Sequence, residues 1–178
     1  DRSPSRGLGD VYKRQINGLT GGQATGTTQF VVQSNSAAGY EVRIAFPTNG
    51  TANAMLGDVT ADESIVDDAG DDAGEPSSGF IDNGSAQFAY TVTSSTTADT
   101  DQSFFESGGN CNQGAGDQNT PCWKAPETAN FTIVRRTNPA PSGATSTITF
   151  NVTVPNNPSP IPAAEGYTAT ATLSLLNL

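Results

Sequence analysis

Apolar side chains in this chain return at every second position, and nowhere do they hold a helical stripe. Tyr40, Val42, Ile44 and Phe46 alternate with Glu41, Arg43 and Ala45 before Pro47. Ala86, Phe88, Tyr90 and Val92 repeat the pattern, and Phe131 and Ile133 do so again before Arg135 and Arg136. Ile148, Phe150, Val152 and Val154 are set against Thr147, Thr149, Asn151 and Thr153 and stop at Pro155. Tyr167, Ala169, Ala171, Leu173 and Leu175 close the chain against Thr168, Thr170, Thr172 and Ser174. Successive side chains of a strand point to opposite faces, so this period predicts strands with one face in a core. No window long enough for a globular helix keeps a 3.6-residue apolar period free of Gly, Pro and β-branched runs, which argues against a helical domain and a parallel βαβ layout.

Phe30-Val31-Val32 is a further β-prone run, and Asn35-Ser36-Ala37-Ala38-Gly39 predicts a hairpin between it and the Tyr40 strand. These six runs, with one or two weaker ones, predict an all-β fold: a two-layer antiparallel β-sandwich of immunoglobulin-like type, with an up-and-down barrel as the alternative closure. At 178 residues the chain fits one domain with a real core. Its Thr-rich outer faces keep β propensity without exposing large apolar groups.

Residues 1 to 15, DRSPSRGLGDVYKRQ, stand apart. They hold four of the eight basic residues (Arg2, Arg6, Lys13, Arg14), whereas the body from residue 16 has four basic and sixteen acidic side chains, a net of −12. The DVYKRQ end resembles translated sequencing adapter of the kind found at the ends of metagenomic gene fragments; a basic disordered leader is the alternative. The expectation is that this segment forms no native strand and that residues 16 to 178 make a single domain. On the adapter reading, the authentic chain continues upstream, and a lost first strand leaves a sheet edge open to pairing with another chain.

Two polar insertions interrupt the strand pattern. Residues 58 to 82 carry nine acids and no base (Asp58, Asp62, Glu63, Asp67, Asp68, Asp71, Asp72, Glu75, Asp82), around the tandem DDAG of VDDAGDDAGEP. They predict a long loop in which Ser64-Ile65-Val66 and Phe80-Ile81 form short edge strands. Ca²⁺ takes six to eight oxygens that clustered carboxylates can supply, so Asp67, Asp68, Asp71, Asp72 and Glu75 are the candidate metal ligands. Their spacing does not match the EF-hand loop, and a solvated, solubilising surface is the competing reading. The second insertion, 94 to 128, encloses Phe104-Phe105, Cys111, Cys122 and Trp123.

Cys111 and Cys122 are the two cysteines, separated by NQGAGDQNTP. An even count in a polar loop without histidine points to a disulfide rather than zinc or a CxxC redox pair, with two free thiols as the alternative. A disulfide places the domain outside the cytoplasm. Trp123 then covers the bridge as an apolar plug or, with Phe104 and Phe105, offers an aromatic platform to a carbohydrate. Four Asn-x-Ser/Thr sequons occur, at Asn49, Asn83, Asn130 and Asn151. Asn151 is expected on the outer face of its strand, where a glycan would fit.

With no histidine, the chain has no Ser-His-Asp triad, no imidazole acid/base and no His-ligated metal. Paired carboxylates for glycoside hydrolysis need rigid placement across a cleft, and most acids here lie in a Gly-Ala-Asp loop. The expectation is therefore that the protein is not an enzyme. A formal charge of −10 opposes nucleic acid and anionic lipid, and no run of 18 apolar residues provides a membrane span.

FVVQSNSAAGYEVRIAF (30 to 46) and EGYTATATLSLLNL (165 to 178) resemble the Asn-Ser…Gly-Tyr strand pair and the Gly-Tyr-Thr closing strand of secreted bacterial surface β-sandwiches, similar to WxL-type cell-wall and coat or pilus-like domains. A Trp-x-Leu signature is missing, since the one tryptophan sits in Cys122-Trp123-Lys124. The resemblance implies an extracellular or cell-surface structural or adhesion module whose partner is a surface protein or a polysaccharide. A carbohydrate- or Ca²⁺-binding module is the second reading.

Overall fold

The computed structural model describes residues 16–48, 52–60, 62–68, 84–107, 110–112 and 122–178. Among these, eleven strands form: β1 (Gly22–Ser34), β2 (Tyr40–Ala45), β3 (Met55–Gly57), β4 (Ser64–Asp67), β5 (Gln87–Ser94), β6 (Glu106–Ser107), β7 (Asn110–Cys111), β8 (Phe131–Arg136), β9 (Ala140–Val154), β10 (Tyr167–Ala169) and β11 (Thr172–Asn177). The helical content of the described residues is two 3₁₀ turns, Thr97–Asp99 and Gln102–Phe104. The fold is all-β, as the period of two requires. A six-stranded sheet runs β1-β9-β5-β4-β3-β10, a three-stranded sheet runs β11-β2-β8, and β6-β7 form a small hairpin.

The two large sheets pack sandwich-like over one core. Val42 and Ile44 of β2 and Ile133 and Val134 of β8 meet Phe88, Tyr90 and Val92 of β5 and Ile148 and Val154 of β9. Phe46 sits at the centre. Its ring lies 5.2 Å from Tyr90, 6.3 Å from Phe88 and 6.4 Å from Phe150, the last two edge-on. Tyr90 passes the aromatic row on to Phe104 at 5.8 Å, and Phe104 to Phe131 at 6.2 Å. Burial raises the ionisation of the Tyr90 phenol far above its ordinary value.

Several sequence expectations change at the level of topology. The Phe30 run is part of a 13-residue strand, and it does not form a hairpin with the Tyr40 strand: β1 pairs with β9, whereas β2 pairs with β11 and β8. Residues 35 to 39 thus carry the chain from one sheet to the other. Gly39 makes that passage possible, with φ of +86° and the Arg136 carbonyl where a Cβ would stand. The closing strand splits at Thr170-Ala171, with β10 on β3 in the large sheet and β11 on β2 in the small one.

Ser64-Ile65-Val66 does become a strand, but an interior one. β4 lies between β3 and β5 and runs parallel to β5, with Val66 opposite Gln87 and Asp67 opposite Phe88, so the sheet is mixed rather than purely antiparallel. Phe80-Ile81 lies outside the described residues. β5 is buried on both faces, since Gln87, Ala89 and Thr91 are enclosed along with Phe88, Tyr90 and Val92. Asn151 of β9, opposite Ala89, does point away from the core but is only 1% exposed, which leaves no room for a glycan.

Candidate functional site

Cys111 and Cys122 are joined by a disulfide with Cα atoms 5.9 Å apart. Cys111 ends the β6-β7 hairpin, opposite Glu106, and Cys122 is fully buried. Two residues further on, Lys124 exchanges both backbone hydrogen bonds with Tyr90, its N–H donating at 2.8 Å and its carbonyl accepting at 3.0 Å. The bond thereby fastens the second insertion to the interior strand of the large sheet.

Lys124, on which the sequence reading placed no role, is 3% exposed. Its ammonium is held by the Glu127 carboxylate at 2.6 Å and lies 4.3 Å above the centre of the Phe131 ring. The carbonyl of Glu127 accepts the N–H of Phe46 at 2.8 Å, so the same short segment also ties down the end of β2.

The three aromatic candidates part company. Phe104 is 1% exposed and belongs to the main core; Phe105 is 4% exposed and buried outside that cluster. Neither ring offers a face to a sugar, because the 3₁₀ turn Gln102–Phe104, capped by Asp101 accepting from the Ser103 N–H at 3.0 Å, turns both inward. Trp123 is half-buried between Cys122 and Lys124. In extended backbone it faces away from Lys124, so it alone of the three retains a partly open surface.

The carboxylates proposed for Ca²⁺ do not converge where they are described. Both oxygens of Asp67 take the Ala54 N–H, at 3.1 Å each, while its own N–H donates to Asn53 Oδ1 at 3.3 Å. Asp68 is fully buried and accepts from Gln87 Nε2 at 3.4 Å. Adjacent residues of an extended chain point to opposite sides, which is why the DD pair makes two separate fastenings. Asp71, Asp72 and Glu75 lie outside the described residues. Among the described residues, no group of three or more acids or cysteines is placed to hold a metal ion.

Other acids of the first insertion act as clamps. Glu63 Oε1 accepts from the Ala163 N–H and the Tyr167 hydroxyl, both at 3.1 Å. Asp58 Oδ1 accepts from Thr168 Oγ1 at 2.7 Å, and Glu165 Oε2 takes the N–H groups of Val59 and Thr60 at 2.5 and 3.0 Å. Partial burial, then the bond to Glu63, pushes the Tyr167 phenol up to about 12. These residues therefore bind the turn between β3 and β4 to the approach of β10. In β2, Arg43 and then the Thr132 hydroxyl, both on the Glu41 carboxylate, hold it below the usual range.

Burial raises the Asp67 carboxyl to about 6 against the opposing Ala54 hydrogen bond. The folded state thus holds this proton more tightly than the unfolded chain. Its stabilising contribution is complete near pH 4 and is lost as pH rises through about 6. Asp67→Asn should remove that slope between pH 4 and 6.5 and raise the neutral-pH midpoint, by on the order of 1 kcal/mol because solvent reaches the group. Urea unfolding of both forms across this range checks it; an unchanged slope would contradict the buried, protonatable carboxyl.

A shallow depression lined by Glu63, Ser64, Val66, Ser85, Ala86, Pro160 and Pro162 has about 10 Å³ free, room for one water. No helix of the described residues is long and apolar enough to cross a membrane. No protein family matches the chain, and no curated protein or solved structure is significantly similar to it. The strand order and the shared core together define a β-rich domain with sandwich-like packing of its sheets.

Proposed function

We propose that this protein is an extracellular or cell-surface structural module of immunoglobulin-like sandwich type, used for attachment or assembly rather than catalysis. The observation that carries this reading is the disulfide between Cys111 and Cys122, a bond that persists in oxidising compartments and here secures an insertion to the sheet interior. The use of Asp58, Glu63 and Asp67 as internal fastenings supports a structural role for the acidic insertion. Burial of Phe104 and Phe105 weakens the rival reading of a carbohydrate-binding platform, leaving Trp123 as its one remaining contributor. A bacterial source and a WxL-like or pilus-like lineage rest on the two sequence resemblances.

Antibodies against the chain should label intact, unpermeabilised cells that carry the gene, and the purified protein should not cosediment with cellulose, chitin or peptidoglycan. Labelling that requires permeabilisation would contradict the surface assignment. Retention on one of the polysaccharides, abolished by Trp123→Ala, would establish the binding module in its place.

A further inference from the structure

The six-stranded sheet has two unlike edges. One is β10, three residues long; the other is β1, thirteen residues long. β1 pairs with β9 from Gly22 to Ser34, and among the described residues no strand takes its other side. A long open edge presents a row of unpaired N–H and C=O groups, and proteins usually blunt such edges with Lys, Pro or an inward charge. GQATGTTQFVVQS contains none of these devices, and Val31 stands 60% exposed upon it.

Charge separates the same two edges. The sequence has no charged side chain from residue 15 to residue 40, and none from 137 to 164, so both β1 and its neighbour β9 are neutral in a chain of net −10. The acids gather toward the opposite side, at Asp58, Glu63 and Asp67 around β3 and β4. A second copy approaching the β3–β10 side meets like charge, whereas one approaching β1 does not. A basic partner would likewise be drawn away from β1. The neutral edge best fits a neutral strand, and the chain's own β1 is one.

We propose that β1 is a self-association edge, on which two copies pair antiparallel about a two-fold axis to form one continuous sheet. The proposal rests on the structural-module reading and gives it a partner, a second copy of this chain. The register irregularity between Val32 and Ser34 confines regular pairing to the stretch before it and centres the axis on Thr27. Thr27 then faces Thr27, Gly26 faces Thr28, Ala24 faces Phe30 and Gln23 faces Val31. Isologous symmetry makes each pair occur twice, and it places the Phe30 ring over a small residue of the other copy. The open edge of β11, which carries Leu175 at 57% exposure, is the competing edge but offers six residues against thirteen.

The test uses the full chain. The two native cysteines are bonded to each other, so an introduced thiol is the one available for crosslinking. Thr27→Cys should form a covalent dimer under mild oxidation, because a residue on the axis meets its own copy within disulfide reach. Leu175→Cys should not. In sedimentation the unmodified protein should dimerise, and Thr25→Lys/Thr27→Lys, both at exposed positions, should weaken that dimer by at least about tenfold while leaving the thermal midpoint in place at a concentration where both proteins are monomeric. Crosslinking at Leu175→Cys but not Thr27→Cys, a dimer indifferent to the two lysines, or a monomer at every concentration would overturn the proposal. Those outcomes leave surface labelling untouched, so failure here is distinguishable from failure of the structural-module reading.

Discussion

Replacing Phe46 by alanine should cost about 3–5 kcal/mol, the largest loss expected from any single truncation in this molecule. The ring is fully buried and touches Phe88, Tyr90 and Phe150, which come from two strands of the opposite sheet. Its removal therefore empties the junction between the sheets, and rigid neighbours on β5 and β9 cannot collapse into the space without moving their own ladders. Phe46→Leu keeps most of the volume and should cost nearer 1–2 kcal/mol. Equilibrium unfolding in urea reads both values, provided the denaturant slope is unchanged. A loss below about 1 kcal/mol for the alanine variant would mean that the two sheets do not meet at Phe46.

Removing the disulfide should have the next largest effect. Closing a loop of this length stabilises by about 3 kcal/mol on the chain-entropy account. Cys111→Ala/Cys122→Ala should lower the thermal midpoint by about 6–12 °C in a domain of this size. The consequence has a definite location. Cys122 lies two residues before Lys124, whose backbone pairs with Tyr90 and whose ammonium depends on Glu127. Freed from Cys111, this segment should exchange its amide hydrogens faster at Lys124 and Phe46 than the β5–β9 ladder does. Equal midpoints for the bonded and alanine forms would show that the bridge closes a loop that is already held without it.

Strand existence was legible in the sequence because a period of two survives in single residues: β2, β5, β8 and the apolar half of β9 fall where Tyr40, Phe88, Ile133 and Ile148 alternate. Sheet membership was not. Five small or polar residues between β1 and β2 suit a hairpin and an inter-sheet passage equally, and the difference lies in Gly39 packed against the Arg136 carbonyl, nearly a hundred residues away. The break between β10 and β11 is hidden for a similar reason. Thr-Ala repeats continue through Thr170 and Ala171 without a Gly or Pro to mark the change of partner. Alternation also says nothing of what covers an outward face, so the burial of Gln87, Ala89 and Asn151 could not be read from it.

The candidate site was legible in its covalent part; of its charged part, Asp67 and Asp68 lie within the described residues. An even cysteine count in a polar loop was enough for the disulfide. Clustered acids suggested a cation, but Asp67 and Asp68 turn to Ala54 and Gln87, because neighbouring side chains of an extended chain diverge. Lys124 escaped notice because a lone base in a polar stretch reads as surface; its acid three residues later and Phe131 beyond were the available signals.

The central claim, a disulfide-secured module working outside the cytoplasm, is tested most directly by thiol trapping on the chain in its own cells. Intact cells are coated with antibody against the chain, washed free of excess and then lysed in an alkylating agent; an antibody is used because the one lysine from residue 16 onward, Lys124, is buried against Glu127 and would not take an amine-reactive label. The antibody-bound and unbound chains are weighed before and after reduction. The expected result is an antibody-bound chain with neither cysteine alkylated until reduction exposes both. A chain found in the unbound fraction alone, carrying two alkylated cysteines without reduction, would contradict it.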